Sequence, residues 1–280
     1  MKAGFHVSIQ GSIDFSADRA ANLGCSTFQI FTRSPRQWNS AKLAPEIAKV
    51  FSDKVKSYGL EPVFAHMPYL PNLASSNDEV YEKSVMTLTL EMERCMQLEI
   101  PYLVTHMGSH LGKGMEIGFT RLIEGINQAF KETTDGVILL LENTAGTRNS
   151  MGSTFEDIQH IIERLIDQER VGVCFDTSHA FAAGYDLRTK ESVQSTIRKL
   201  ENIIGLERVK LVHLNDSKGD LNSRIDRHEH IGLGRIGEEG FRNVLASQLG
   251  ELPLIMETPK NDVRDDAGNL EKLKELVIGF

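Results

Sequence analysis

Eight times along 280 residues, a short and almost continuously apolar run is followed by a longer amphipathic segment. Runs such as VILLL, KLVHL and LPLIM leave no polar face, as parallel strands covered on both sides require. The alternation predicts strands at Ala3–Val7, Thr27–Phe31, Pro62–His66, Tyr102–His106, Val137–Glu142, Gly172–Asp176, Val209–His213 and Leu252–Glu257. Helices are expected to begin near Ile13, Pro45, Asp78, Ile117, Thr154, Glu191, Glu238 and Asn269. Ser153-Thr154 ahead of Glu156 and Asp157 is a helix-start signal. Eight β–α units in this length predict an α/β fold, a (β/α)8 TIM barrel forming a single domain over residues 1–280. A doubly wound sheet is the alternative. The irregular stretches 67–77, 143–153 and 214–237 each follow a predicted strand, so they are βα loops, and in a barrel those loops build the active site.

Composition narrows the class. Hydrophobic residues make up 40% and charged residues 25%, which excludes a disordered chain. No apolar run approaches the roughly 18 residues of a transmembrane helix, so no membrane association is expected. The start, MKAGFHVSIQ, lacks the apolar core of a signal peptide and reads as a first strand. Cys25, Cys95 and Cys174 are odd in number and widely spaced, which fits free thiols in a cytoplasmic protein. The net charge of −8 argues mildly against a general nucleic-acid binder, though bound divalent metals would change the sum.

Six predicted strands end in a residue able to bind metal: His66, His106, Glu142, Asp176, His213 and Glu257. In a parallel barrel these ends share one rim. His179 lies three residues after Asp176, and Asp226 and His228 lie on the long loop after the seventh strand. Any one of them, taken alone, reads as a polar cap on a strand. Five histidines and four carboxylates on one face do not. Carboxylates packed so densely repel one another without cations. Imidazole mixed with carboxylate suits zinc, with manganese or iron as alternatives. Nine ligands exceed one tetrahedral ion, so two or three metals are implied, with one carboxylate bridging. Paired metals about 3.5–4 Å apart are a common device for hydrolysing phosphate esters.

Longer motifs then become informative. Val171–Asp186, VGVCFDTSHAFAAGYD, and His213–Gly234, HLNDSKGDLNSRIDRHEHIGLG, closely resemble two signatures of the endonuclease IV family of zinc-dependent apurinic/apyrimidinic (AP) endonucleases, AP endonuclease family 2. HVS at His6–Ser8, FTRSPRQW at Phe31–Trp38, HMGSH at His106–His110 and LENTAG at Leu141–Gly146 match in the same order. The resemblance therefore spans nearly the whole chain. One departure is Ser178, where the family usually has cysteine; another is Met67-Pro68, where some members are polar.

The resemblance implies a barrel with three zinc ions per chain. His66, His106 and Glu142 would hold the first. Glu142, the catalytic bridging carboxylate, would share the second with Asp176, His213 and Glu257. His179, Asp226 and His228 would hold the third. It implies hydrolysis of the phosphodiester 5′ to an abasic site in duplex DNA, leaving a 3′-hydroxyl and a 5′-deoxyribose phosphate, together with trimming of blocked 3′ ends. It assigns Arg36, Tyr69 and Leu70 to DNA binding, filling the gap left by the missing base, and it suggests a monomer.

Other signals carry less. Gly232–Gly237 matches the dinucleotide spacing G-x-G-x-x-G, but no apolar strand precedes it, so it reads as a turn. Arg33, Arg36, Lys113, Arg148, Lys218, Arg224, Arg227 and Arg235 fall on rim loops and are candidate phosphate contacts. His6, His110 and His230 lie near the ligand motifs and are candidates for supporting roles, whereas His160 reads as structural. In Asp78–Leu98, Val80, Val85, Leu88, Met92, Cys95 and Met96 form a barrel-packing face. Two competing functions remain. A sugar isomerase or epimerase would need only Glu142, Asp176, His213 and Glu257. A non-catalytic damage-binding protein would need a broken ligand set.

Overall fold

The computed structural model describes residues 1–278. Eight parallel strands form one sheet, in the order β1 (Ala3–Phe5), β10 (Leu254–Met256), β7 (Val209–His213), β6 (Val171–Asp176), β5 (Ile138–Glu142), β4 (Tyr102–His106), β3 (Val63–His66) and β2 (Phe28–Phe31). A parallel bridge between His6 and Gln29 joins the two edges, with Val7 N–H donating to Gln29 O at 2.8 Å. The seam is tight: a Cβ on Gly4 would stand 1.7 Å from the Thr27 carbonyl oxygen, so only glycine fits. A further two-residue ribbon, β8 (Asp216–Ser217) and β9 (His228–Glu229), lies in the loop after β7. This is the (β/α)8 TIM barrel that the alternation predicts. The eight strands fall where expected, most of them trimmed at their ends.

The helices are α1 (Phe15–Asn22), α2 (Pro45–Tyr58), α3 (Asp78–Gln97), α4 (Met115–Glu132), α5 (Phe155–Ile162), α6 (Thr177–Ala183), α7 (Lys190–Ile203), α8 (Gly237–Leu245) and α9 (Asp266–Ile278). Their starts have local causes. Pro45 opens α2, and Gly59 closes it in the left-handed region. Thr154 caps α5 by accepting from Asp157 N–H, as its sequence predicts. Thr189 and Ser192 form a capping box on α7. Among the α-helices of the described residues, only α6, a single short helix directly after β6, goes unanticipated.

Alternation along each strand divides the core in two. One set of side chains packs between the sheet and the helices, with Phe28 against Phe51 and Phe155 against Phe175. The other points into the barrel, where Phe64, Val104, Leu140, Cys174, Leu211 and Ile255 form a separate buried cluster. Burying each large apolar side chain contributes about 1.5–3 kcal/mol. On α3, Val85, Leu88, Met92 and Cys95 are buried as expected, whereas Val80 is only partly buried and Met96 is 39% exposed.

Candidate metal centre

The inner apolar cluster is the floor of the site. Each of its six residues is followed two positions later by a candidate ligand: Phe64 by His66, Val104 by His106, Leu140 by Glu142, Cys174 by Asp176, Leu211 by His213 and Ile255 by Glu257. A strand repeats its facing every two residues, so all six ligands point into the barrel one layer nearer its mouth. Glu142, Asp176 and His213 are fully buried there, and His66 nearly so.

Glu142 stands at the middle. Its Oε2 lies 3.2 Å from His66 Nε2 and 3.8 Å from His106 Nε2. Its Oε1 lies 3.2 Å from His213 Nδ1 and 3.2 Å from His179 Nδ1. The two oxygens thus face different sets of imidazoles. Burial alone would push the carboxyl up, but His106, His213 and His179 outweigh it and hold Glu142 well below the usual carboxylate range. Burial also opposes charge on His213, yet the Glu257 and Glu142 carboxylates reverse the sign and hold it well above its ordinary value. The same balance raises His179, through Asp176, Asp226 and Glu142.

Among the described residues, three groupings bring ligand atoms within 4.8 Å of one another: His66, His106 and Glu142; Asp176, His213 and Glu257; and Asp176, His179 and His228. A fourth contains Cys174 with Glu142 and His213. Cys174 belongs to the apolar floor, and burial pushes its thiol up to about 12. Asp226 is half-exposed on the long loop, its Oδ1 3.2 Å from His179 Nε2. His228 Nε2 is buried without a hydrogen-bond partner and lies 3.8 Å from Asp176 Oδ2. An orphaned imidazole nitrogen aimed at a carboxylate, inside a nitrogen and oxygen donor set, fits a divalent metal.

Further side chains fix the orientation of these groups, and the sequence reading missed three of them. Gln29 accepts from His213 Nε2 at 2.9 Å, which turns Nδ1 toward the carboxylates, and it donates to Glu257 Oε1 at 2.8 Å. Asn215 donates to Asp176 Oδ2 at 2.7 Å and accepts from Glu257 N–H at 2.7 Å. The Asn143 carbonyl accepts from His179 Nδ1 at 2.9 Å, and its side chain pairs with the Asp176 backbone. Such partners set tautomer and ring angle. Their signal was present: Gln29 is the one polar residue of β2, and both asparagines lie within two positions of a ligand. The short helix α6 is capped by Asp176 itself, whose Oδ1 accepts from His179 N–H at 2.7 Å, and this places His179 one turn beyond the strand.

The mouth is a cavity of about 360 Å³ lined by His6, Phe31, His66, Tyr69, His106, His179, Asp226, His228, Glu257, Thr258 and Lys260. His6 reaches Glu257 Oε1 at 3.2 Å. Tyr69 is 64% exposed and Leu70 37% exposed on the loop after β3, and Tyr69 N–H donates to Pro35 O, so the loop bearing exposed Arg36 is adjacent. Arg33 does not face the rim. It is buried, bonded to Glu91 and to the carbonyls of Gln37 and Trp38, so its expected phosphate contact is excluded by enclosure. Lys218 pairs with Glu229 and Arg235 with Asp220, whereas Lys113, Arg148, Arg224 and Arg227 are exposed. His230 is tied to Asn261 and Asn269, His110 Nδ1 accepts from Gly114 N–H, and His160 packs on Phe119. No helix among the described residues is long and apolar enough to cross a membrane.

Comparison with known proteins agrees with this geometry. A family described as xylose isomerase-like TIM barrel, AP_endonuc_2, matches residues 17–276. A protein of Methanoculleus marisnigri named probable endonuclease 4 is 54% identical over 276 residues, covering 98% of each chain. One of the same name from Nitrosopumilus maritimus is 48% identical over 280 residues, covering 99% of this chain and all of the relative. The crystal structure of endonuclease IV from Thermus thermophilus superposes with a TM-score of 0.89 at 36% identity over the whole of both chains. A D-tagatose 3-epimerase-like protein, at 24% identity and TM-score 0.76, shares the fold. With matches of this extent in family, sequence and structure, the chain belongs to the endonuclease IV (endonuclease 4) family.

Proposed function

We propose that the protein is an AP endonuclease that hydrolyses the phosphodiester 5′ to an abasic site in duplex DNA and trims blocked 3′ ends at the same centre. The chain acts as one domain over residues 1–280, as a monomer, with three zinc ions. The observation that carries this reading is the split of Glu142, one oxygen toward His66 and His106 and the other toward His213, beside the further grouping of Asp176, His179 and His228.

In this reading His66, His106 and Glu142 hold one zinc; Glu142, Asp176, His213 and Glu257 hold the second; and His179, Asp226 and His228 hold the third. Bound there, the metals supply Lewis-acid charge for the phosphate and lower the pKa of water. Glu142 keeps the first two groups in one frame, and Gln29, Asn143 and Asn215 keep the ligand atoms aimed. Tyr69 and Leu70 present an exposed aromatic and an apolar wedge beside the cavity, the types that replace lost base stacking. Arg36 meets the DNA from the neighbouring loop. A sugar isomerase would leave His179 and His228 without a role, although both share a ligand-distance cluster with Asp176.

The test is strand cleavage of a duplex carrying one stable abasic analogue. The expected product is a single cut 5′ to the lesion with a 3′-hydroxyl, lost on prolonged chelation and restored by zinc. Glu142→Gln should abolish it. Tyr69→Ala with Leu70→Ala should weaken lesion preference while zinc content holds. No cut by fully metallated protein would transfer the assignment to the sugar-isomerase reading.

A further inference from the structure

The Gly232–Gly237 turn has the spacing of an anion cradle, and its amides are already engaged. Gly234 N–H and Gly237 N–H donate to Asp216 Oδ2 at 2.9 and 3.3 Å, and Ile236 N–H donates to Oδ1 at 3.0 Å. Ser217 N–H adds a fourth bond to Oδ1 at 2.8 Å. The carboxylate is buried. It fills, from within the chain, the place that a phosphate takes in turns of this spacing. Gly234 is required by proximity, since a Cβ there would stand 2.5 Å from both Asp216 Oδ1 and the Ser217 carbonyl oxygen.

The clasp closes the base of one loop. Asp216 pairs with Glu229 and Ser217 with His228 in the β8–β9 ribbon. Lys218 N–H donates to Arg227 O at 2.9 Å, and Arg235 N–H to Ser217 O at 2.8 Å. Asp226 and His228 stand on the enclosed segment. Six of the other candidate ligands stand at or just beyond the ends of barrel strands; the seventh, His179, stands on α6, whose Phe181 and Ala182 carbonyls accept from Asn222 and Arg224 N–H of the same loop.

We propose that Asp216 is a positioning residue, an internal anion whose four backbone bonds close the 216–237 loop and thereby set Asp226 and His228 opposite His179. It follows, on the trinuclear reading above, that one of the three metals depends on Asp216 and the other two do not. Asp216→Asn keeps the shape but turns one acceptor oxygen into a donor, so two of the four amides lose their acceptor.

The experiment counts zinc per chain by elemental mass spectrometry after equilibration in one zinc buffer. The proteins are wild type, Asp216→Asn, Gly234→Ala, and Asp226→Ala with His228→Ala. Gly234→Ala attacks the clasp from the opposite side, so the test survives poor folding of Asp216→Asn. Each clasp variant is expected to hold one zinc fewer than wild type, matching the loop-ligand variant. Adding Asp216→Asn to the loop-ligand variant should remove no more, because both act on the same ion. A full wild-type count in both clasp variants would overturn the proposal, as would further loss in the combined variant. A wild-type count below three would overturn the trinuclear reading itself, and this inference with it.

Discussion

Ser178 sits between Asp176 and His179 on α6, buried, with a hydroxyl that finds no hydrogen-bond partner. It occupies the position where the family resemblance expects cysteine, a side chain with only a weak donor to satisfy. An unsatisfied buried hydroxyl costs about 1–3 kcal/mol. Ser178→Ala and Ser178→Cys are therefore expected to raise the unfolding temperature by about 2–4 °C for each kcal/mol recovered. Calorimetry on matched zinc-loaded samples would show it, and a lower value in both variants would mean that the hydroxyl is serving the fold. Glu142 is the contrasting case. Its burial is equally complete and by itself would push the carboxyl up, but the histidines around it outweigh burial and keep Glu142 an anion.

Among the elements, α3 does more than cover the barrel. Its Glu91, fully buried, accepts from Thr32 Oγ1 at 2.6 Å and from Arg33 Nε. Arg94, one turn on, donates to Thr32 O at 2.6 Å and to Ala41 O at 3.2 Å. Two guanidiniums and one carboxylate thus pin both ends of the loop that carries Arg36. Glu91→Gln would leave the arginines facing one another without a counter-ion, a loss of about 3–5 kcal/mol for a buried pair. The expected outcome is lower stability in denaturant and weaker binding of lesion DNA, with zinc content unchanged because no candidate ligand lies on this loop. Zinc loss in parallel with the binding loss would refute that separation.

For the molecule as a whole, charge and stability meet at the barrel mouth. Three divalent ions would bring −8 to about −2 and concentrate positive charge where a phosphate arrives. Removing them should lower the unfolding temperature on the order of 10 °C, since a ligand bound only by the folded state stabilises it. No change on chelation would mean that the groupings hold no metal. The pH slopes should also differ. In stripped protein, His179 and His213 are raised above 6.5, so their pairing with carboxylates contributes fully below that pH and is lost as pH climbs through the raised values. The lowered Glu142 and Glu257 contribute above about 4.5 and lose that contribution on acidification through their depressed values. Stripped protein should therefore weaken above neutral pH. Zinc-loaded protein should strengthen there, because its ligands must shed protons to bind.

The local pattern of the chain determined the barrel, the C-terminal ends of most strands, most helix starts and the layer of six candidate ligands at those ends. Apolar runs, caps and two-residue alternation are properties of neighbours in sequence. Closure decided the rest. Arg33 and Arg36 look alike in FTRSPRQW, yet α3 encloses the first and leaves the second exposed. The turn at Gly232–Gly237 resembles a ligand cradle until the ribbon carries Asp216 into it. His179 becomes a neighbour of Glu142 only because Asp176 caps a helix too short to show a periodicity. These outcomes depend on which distant segments the closed sheet brings within a few ångströms, and no stretch of sequence holds that distance by itself.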